Sequence, residues 1–165
     1  MRVDTKVTSS LAILAAAMWL GGMLTLGAVA APVVFHVVPA PYNADAMTVV
    51  FRRFDVIAMT CAALVLLSEA VRGAAARSFS RLDAARLAAA VLAGAAAIVQ
   101  GVWLSPAIEG LHRAGAMRGV GALGQELDSL HNLATKSGSA QALLLAVLLV
   151  LHVVTVSRAA GGQRV

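Results

Sequence analysis

Ionisable and amide side chains gather near the ends of four long apolar runs, and most of them should share one depth. His36 ends the first run, Arg52 and Asp55 begin the second, and His131 leads into the fourth. Polar groups inside a membrane are costly, so such a gathering suggests a binding site. The other members expected at this depth are Arg53, Gln100, Glu109, His112, Asp128 and Asn132.

This convergence of separate chain segments predicts a polar vestibule at the outer rim of a helical bundle. We expect Arg52, Asp55 and His131 to form it, with Trp103 and Pro106 shaping its wall. Such a vestibule would bind an ion, a lipid headgroup or a protein partner. The competing interpretation is a simple ion pair, because Arg52 and Asp55 stand three residues apart on one helix face.

Catalysis has no recognisable signature in this chain. The serines lack an activating motif, no glycine-rich phosphate loop occurs, and the histidines show no dense metal-ligand spacing. We therefore expect a non-enzymatic protein without a metal or a cofactor. The alternative is a haem-b-binding oxidoreductase in which His36 and His131 face each other as axial ligands. His152, alone on a leucine-rich helix, should be packed or hydrogen-bonded.

Two further polar features lie deeper or toward the opposite ends of the runs. Glu69 and Arg72 end the second run and should form an ion pair at the inner interface. Cys61 is the single cysteine, so it cannot form an internal disulfide. In mid-membrane we expect it to act as a small packing residue.

The runs that position these side chains cover residues 11–38, 56–71, 84–104 and 140–156. Apolar residues make up 60% of the chain and charged residues only 13%, against about 25% in soluble domains. We predict a single all-α domain, 1–165. It is a four-helix transmembrane bundle with spans at about 11–38, 47–71, 84–104 and 139–157. An amphipathic outer segment, 105–138, should join the last two spans, and the tail 158–165 should be disordered.

One face of the third span carries only small residues. Ala85, Ala89, Ala93, Ala97 and Gly101 recur every four residues, which predicts a helix-packing seam. A third hypothesis follows from it, namely a purely structural subunit. A homodimer or a membrane-protein partner is expected beside the lipid bilayer. Nucleic acid is not, because the net charge of +5 lies in connections and tails.

The distribution of Lys and Arg predicts the orientation. Of the 13 basic residues, eight lie on the side of the termini and five on the opposite side. The positive-inside rule then places both termini in the cytoplasm, and the expected location is the plasma (inner) membrane. The first run is too long for a signal-peptide core, so we expect a retained span; cleavage after Ala30 would leave three spans.

Four short stretches carry a resemblance that covers nearly the whole chain. They are WLGGMLTLGAVAAPVVF in the first span, FRRFD at the entry of the second, Trp103-Leu104-x-Pro106 at the exit of the third, and Leu130-His131 before the fourth. The chain resembles a family of small four-span membrane proteins of unknown function that includes the eukaryotic transmembrane protein two-hundred-and-five. The resemblance implies four helices in a membrane and no particular reaction.

A second resemblance carries the haem alternative. Trp19-x-Gly21-x-x-Leu24 and Phe35-His36 are similar to the first span of the membrane protoporphyrinogen oxidases. Those proteins are similar in size and bind haem. This resemblance implies an oxidoreductase with His36 close to the haem iron.

Overall fold

Six α-helices and two π-helical segments make up the computed structural model, which describes residues 5–40, 42–75 and 79–161. The α-helices are α1 (Thr5–Thr25), α2 (Ala31–Val37), α3 (Tyr42–Ala75), α4 (Arg81–Ile98), α5 (Ser105–Arg113) and α6 (Gly121–Gly161). The π-helical segments, Leu26–Ala30 and Val99–Leu104, join α1 to α2 and α4 to α5 without leaving helical backbone angles.

Four continuous helical stretches are long and apolar enough to cross a membrane. They are Val7–Val37, Tyr42–Ala75, Arg81–Arg113 and Gly121–Ser157, and we number them as spans one to four. No strand occurs within the described ranges. Helices satisfy their own backbone hydrogen bonds, as hydrocarbon requires. The all-α, four-helix transmembrane fold predicted from the sequence is confirmed.

The spans pack in a ring, because span one contacts spans two and four, and span three contacts the same two. Small side chains fill most of the centre: Ala16, Cys61 and Ala93 are fully buried. Trp19 and Leu148 are large side chains buried in the same core. Small residues let membrane helices approach closely, and the exposed leucines and valines of each span remain to face lipid.

The alanine face of span three is buried over part of its predicted length. Ala89, Ala93 and Ala97 lie in the core, and Gly101 is buried in the π-helical segment that follows. Ala85 is exposed, although its neighbour Arg86 is buried. The packed surface therefore begins one turn later than the spacing of small residues indicates.

The two ends of the bundle differ in composition. The prolines of the described ranges, Pro32, Pro39 and Pro106, lie toward the end at which span one turns into span two. We call this the proline end; it also carries the turn between α5 and α6. The opposite end, which holds the start of α1, the end of α3, the start of α4 and the end of α6, is called the termini end.

The predicted outer segment, 105–138, is divided between two long helices. The amphipathic helix α5 continues span three, and α6 begins at Gly121, well before the predicted start of the fourth span. Three glycines with positive φ, Gly115, Gly119 and Gly121, form the turn between them. Gly124 and Gly138 do not stop α6, since single glycines cost a helix only about 1 kcal/mol.

Candidate functional site

Arg52 links spans two and three at the proline end. Its Nη1 donates to the backbone carbonyl of Gly101 at 2.7 Å, and its Nε lies 3.4 Å from Oε2 of Glu109. Its own helix contributes Asp55, whose Oδ2 lies 3.9 Å from Nη1. The predicted pairing of Arg52 with Asp55 is therefore the longest of these contacts, and the carbonyl is the nearest partner.

The carbonyl of Gly101 is available because of the π-helical register and the proline that follows. In an α-helix it would accept from the Ser105 N–H, which here donates to the Gln100 carbonyl instead. In the π-helical register it would accept from residue 106, but Pro106 has no N–H. A side-chain donor must replace the missing backbone donor, and Arg52 does so.

Gly101 also allows spans two and three to touch. A Cβ at this position would lie 3.2 Å from Asp55 Cβ and 3.3 Å from Sδ of Met59. Asp55 is only 5% exposed, and its Oδ2 has no hydrogen-bond partner among the described residues. Gln100 Nε2 donates to Ser105 Oγ at 3.4 Å on the facing helix. The small glycine thus brings a buried carboxylate against a polar stretch of span three.

A shallow depression opens beside Arg52 on the surface of span two. It encloses about 400 Å³, and we call it the arginine depression; its lining residues are Thr48, Val49, Arg52, Arg53, Val56 and Glu109. Val49 and Val56 are more than half exposed, so the depression opens onto the lipid-facing surface. Arg53 is exposed beside them and makes no ion pair within the described part of the chain. The depression therefore combines an apolar floor with charges of both signs.

Not all residues predicted for the vestibule lie in this depression. Arg52 lines it, and Asp55 lies behind Arg52 in the interior. Trp103 is 56% exposed on the surface of span three, and Pro106 stands in the first turn of α5, one turn before Glu109. Arg53 and Glu109, which were grouped at this depth in the sequence, are the lining charges that the vestibule prediction left out.

His131 lies next to a different histidine. Its ring meets that of His112 edge-on, with centroids 5.8 Å apart, which ties span four to α5. Its Nδ1 lies 3.0 Å from the carbonyl oxygen of Leu127, so this nitrogen carries the proton and donates. His36 is exposed in the last turn of α2. In residues 5–40, 42–75 and 79–161, no three His, Cys, Asp or Glu side chains group to hold a metal ion.

A second polar cluster lies at the termini end and joins spans two, three and four. Arg86, 1% exposed, donates through Nε to Glu69 at 3.2 Å and through Nη1 to Thr155 Oγ1 at 2.6 Å. Its Nη2 donates to Asp83. Arg72 approaches the same two acids, at 3.4 Å for Glu69 and 4.0 Å for Asp83. Two guanidinium groups and two carboxylates thus balance their charges within one buried network.

His152 closes this termini-end cluster from span four. It is fully buried, and its Nδ1 lies 3.4 Å from Nη1 of Arg72. Because an arginine only donates, Nδ1 accepts and the proton of a neutral ring sits on Nε2. Nε2 lies 3.3 Å from Oε1 of Glu69, but the angle does not make a hydrogen bond. His152 Nε2 and Glu69 Oε1 are therefore close neighbours without a hydrogen bond between them.

The sequence contains a signal for the termini-end cluster. Glu69 and Arg72, and likewise Asp83 and Arg86, stand three residues apart at the same end of neighbouring spans. Ser80 fixes Asp83 through a capping box, in which Ser80 Oγ accepts from the Asp83 N–H at 3.2 Å. Two such pairs at one depth predict a network rather than a single interface ion pair.

The model of a protein family described as Domain of unknown function (DUF4149) matches residues 14–117. The chain belongs to this family. The DUF4149 region contains every residue that lines the arginine depression, whereas His131 and His152 lie beyond it. No curated protein and no solved structure matches the chain. DUF4149 membership and the four spans identify a multi-pass membrane protein, while the resemblance to the eukaryotic protein and the haem alternative stay predictions.

Proposed function

We propose that this protein is a non-enzymatic membrane protein that binds the phosphate of a lipid headgroup in the arginine depression. The observation that carries the proposal is the composition of the lining, in which Arg52 and Arg53 stand beside Val49 and Val56. A phospholipid presents the same combination, a phosphate joined to hydrocarbon. A lipid fits this lining better than a free ion or a protein partner, because only the lipid carries both a phosphate and hydrocarbon chains.

Arginine is suited to this task by its geometry. The guanidinium presents donors in a planar fork that matches the oxygens of a phosphate. Arg52 is held by Gly101 and Glu109 through Nη1 and Nε, which leaves Nη2 for a ligand. Arg53 is exposed and contributes a whole fork. One arginine is therefore pre-positioned and its neighbour is free to close on the phosphate.

The depth of the depression supports a headgroup ligand. Arg52 at the proline end and Arg72 at the termini end are 20 residues apart on α3, which corresponds to about 30 Å at the helical rise of about 1.5 Å per residue. A bilayer core is about 30 Å thick. The charged clusters would then mark the two hydrocarbon boundaries, and the arginine depression would lie where phosphates are found.

Native mass spectrometry of the detergent-solubilised protein tests the proposal with two lipids of identical acyl chains, a phospholipid and a diacylglycerol. We expect the wild-type protein to retain the phospholipid preferentially. Arg53→Gln should lose about tenfold in phospholipid affinity, the effect of about one charge-assisted hydrogen bond. Arg81→Gln, an exposed arginine at the termini end, is the matched control. Equal retention of both lipids by the wild type would overturn the proposal.

We also propose that the proline end faces outward across a plasma membrane, with both termini in the cytoplasm. The excess of Lys and Arg at the termini end supports this orientation. Cys61 is buried, so we expect a maleimide to label an introduced cysteine and not Cys61. An impermeant maleimide on intact cells should label Met117→Cys, in the turn after α5, and not Phe79→Cys, before α4. The reverse labelling would contradict the orientation.

A further inference from the structure

We propose that the lipid bound in the arginine depression carries a primary ammonium group as well as a phosphate, as phosphoethanolamine does, and that Glu109 holds the ammonium. This inference rests on the proposed function and specifies its ligand. The depression offers two positive groups, Arg52 and Arg53, and one negative group, Glu109. A headgroup with one charge of each sign can place both against opposite charges.

Glu109 would disfavour a headgroup that carries only negative charge. Its carboxylate lines the same depression as the two arginines, so a bound phosphate lies close to it. Like charges a few ångströms apart repel strongly where water is partly excluded. A positive group on the ligand turns this repulsion into attraction, and the depression then selects for a zwitterion.

The carboxylate of Glu109 has room for such a group. Oε2 lies 3.4 Å from Arg52 Nε and Oε1 lies 3.3 Å from Arg113 Nη2, both longer than charge-assisted hydrogen bonds of about 2.7–2.9 Å. The Arg113 side chain is 74% exposed, so its pair with Glu109 is weakly held. An ammonium can displace Arg113 from Oε1 while Arg52 keeps its place at Oε2.

Thr48 adds a second acceptor for the ammonium. Its Oγ1 donates to the Ala44 carbonyl at 2.9 Å within the same helix. The hydroxyl proton is thereby used, and the lone pairs that remain can only accept. Thr48 can therefore accept a hydrogen bond from an ammonium group but cannot donate one to a phosphate oxygen.

The lining also distinguishes a primary from a quaternary ammonium. A primary ammonium has three N–H donors for Glu109 and Thr48, whereas a trimethylated one has none. Quaternary ammonium groups are bound by aromatic faces. None of the six lining residues is aromatic. The depression should therefore bind phosphoethanolamine more tightly than phosphocholine.

Competition between lipids of identical acyl chains tests the inference on the full-length protein in nanodiscs. The lipids are phosphatidylethanolamine, phosphatidylcholine, phosphatidylglycerol and a diacylglycerol. We expect the wild type to prefer phosphatidylethanolamine over each of the other phospholipids by about tenfold, as for one charged hydrogen-bonded contact. Glu109→Gln should abolish this preference. Arg113→Gln, which removes the competing guanidinium, should preserve it or increase it.

The failures of the two proposals differ. If the wild type binds phosphatidylglycerol as tightly as phosphatidylethanolamine, and both more tightly than the diacylglycerol, the ammonium inference is wrong and the phosphate site stands. The same conclusion follows if Glu109→Gln keeps the full preference for phosphatidylethanolamine. If all four lipids compete equally, the phosphate site itself is wrong.

Discussion

Gly101 is the residue on which the arrangement at the proline end depends. Its carbonyl receives Arg52, and its lack of a side chain lets Asp55 and Met59 approach span three. The sequence places it in a series of small residues, which indicates packing alone. The structure adds a second role, because the same position supplies the acceptor that orients the arginine.

Gly101→Ala should lower the free energy of unfolding by about 1–3 kcal/mol, the usual cost of overpacking. The new Cβ would meet Asp55 Cβ at 3.2 Å, and that atom is fixed to the backbone of α3. Gly27→Ala is the matched control, because a Cβ there meets nothing within 4 Å. Unfolding in mixed detergent micelles measures both variants. Equal effects of the two substitutions would contradict the close approach assigned to Gly101.

Arg86 is the residue on which the termini-end cluster depends. Arg86→Met should lower the free energy of unfolding by about 3–5 kcal/mol, because it removes the closest guanidinium from buried Glu69 and leaves Arg72 alone to balance Glu69 and Asp83. Arg81→Met, at the exposed start of the same helix, should change it little. The double variant Glu69→Gln/Arg86→Met should lose less unfolding free energy than the two single variants lose together, since both partners are then neutral. Strict additivity would argue against a coupled network.

The sequence predicts some of these residues and misses others for a physical reason. The fold follows from composition, since four long apolar runs have few other solutions in a bilayer. The pairing of Arg52 with Asp55 follows from spacing on one helix. The acceptor at Gly101 and the contact of Arg86 with Glu69 depend on helix register and on which faces meet. Those are tertiary facts that no single periodicity contains.

At the scale of elements, the two π-helical segments have the same origin. In each, a glycine precedes a proline by five residues: Gly27 and Pro32 in span one, Gly101 and Pro106 in span three. In each, the residue before the proline donates to the carbonyl five residues back, as Ala31 does to Leu26. The widened turn accommodates the missing N–H of proline. Only the segment in span three delivers its carbonyl to an arginine across the bundle.

Pro106→Ala should weaken phospholipid binding roughly three- to tenfold, about the value of one hydrogen bond. The restored N–H can donate to the Gly101 carbonyl and so compete with Arg52. Pro32→Ala makes the same change in span one, away from the arginine depression, and should leave the affinity unchanged. The lipid retention assay measures both. An identical loss in the two variants would indicate a general effect on the bundle.

The whole molecule is a short apolar bundle closed at each end by charge. At the termini end the charges are buried and mutually neutralised, which suits a structural clamp on spans two, three and four. At the proline end they are partly exposed, and Arg53 pairs with nothing in the described ranges. This unmatched charge beside exposed valines distinguishes the arginine depression from the termini end and supports the headgroup site proposed there.

Photo-cross-linking with a phospholipid that carries its reactive group next to the phosphate tests whether the arginine depression binds a lipid headgroup. We expect cross-links concentrated on residues 48–56 and on the peptide that contains Glu109. Replacing Arg53 with Gln should remove most of them, and Arg81→Gln should not. Cross-links spread evenly over the four spans, or concentrated at the termini end, would contradict a headgroup site in the arginine depression.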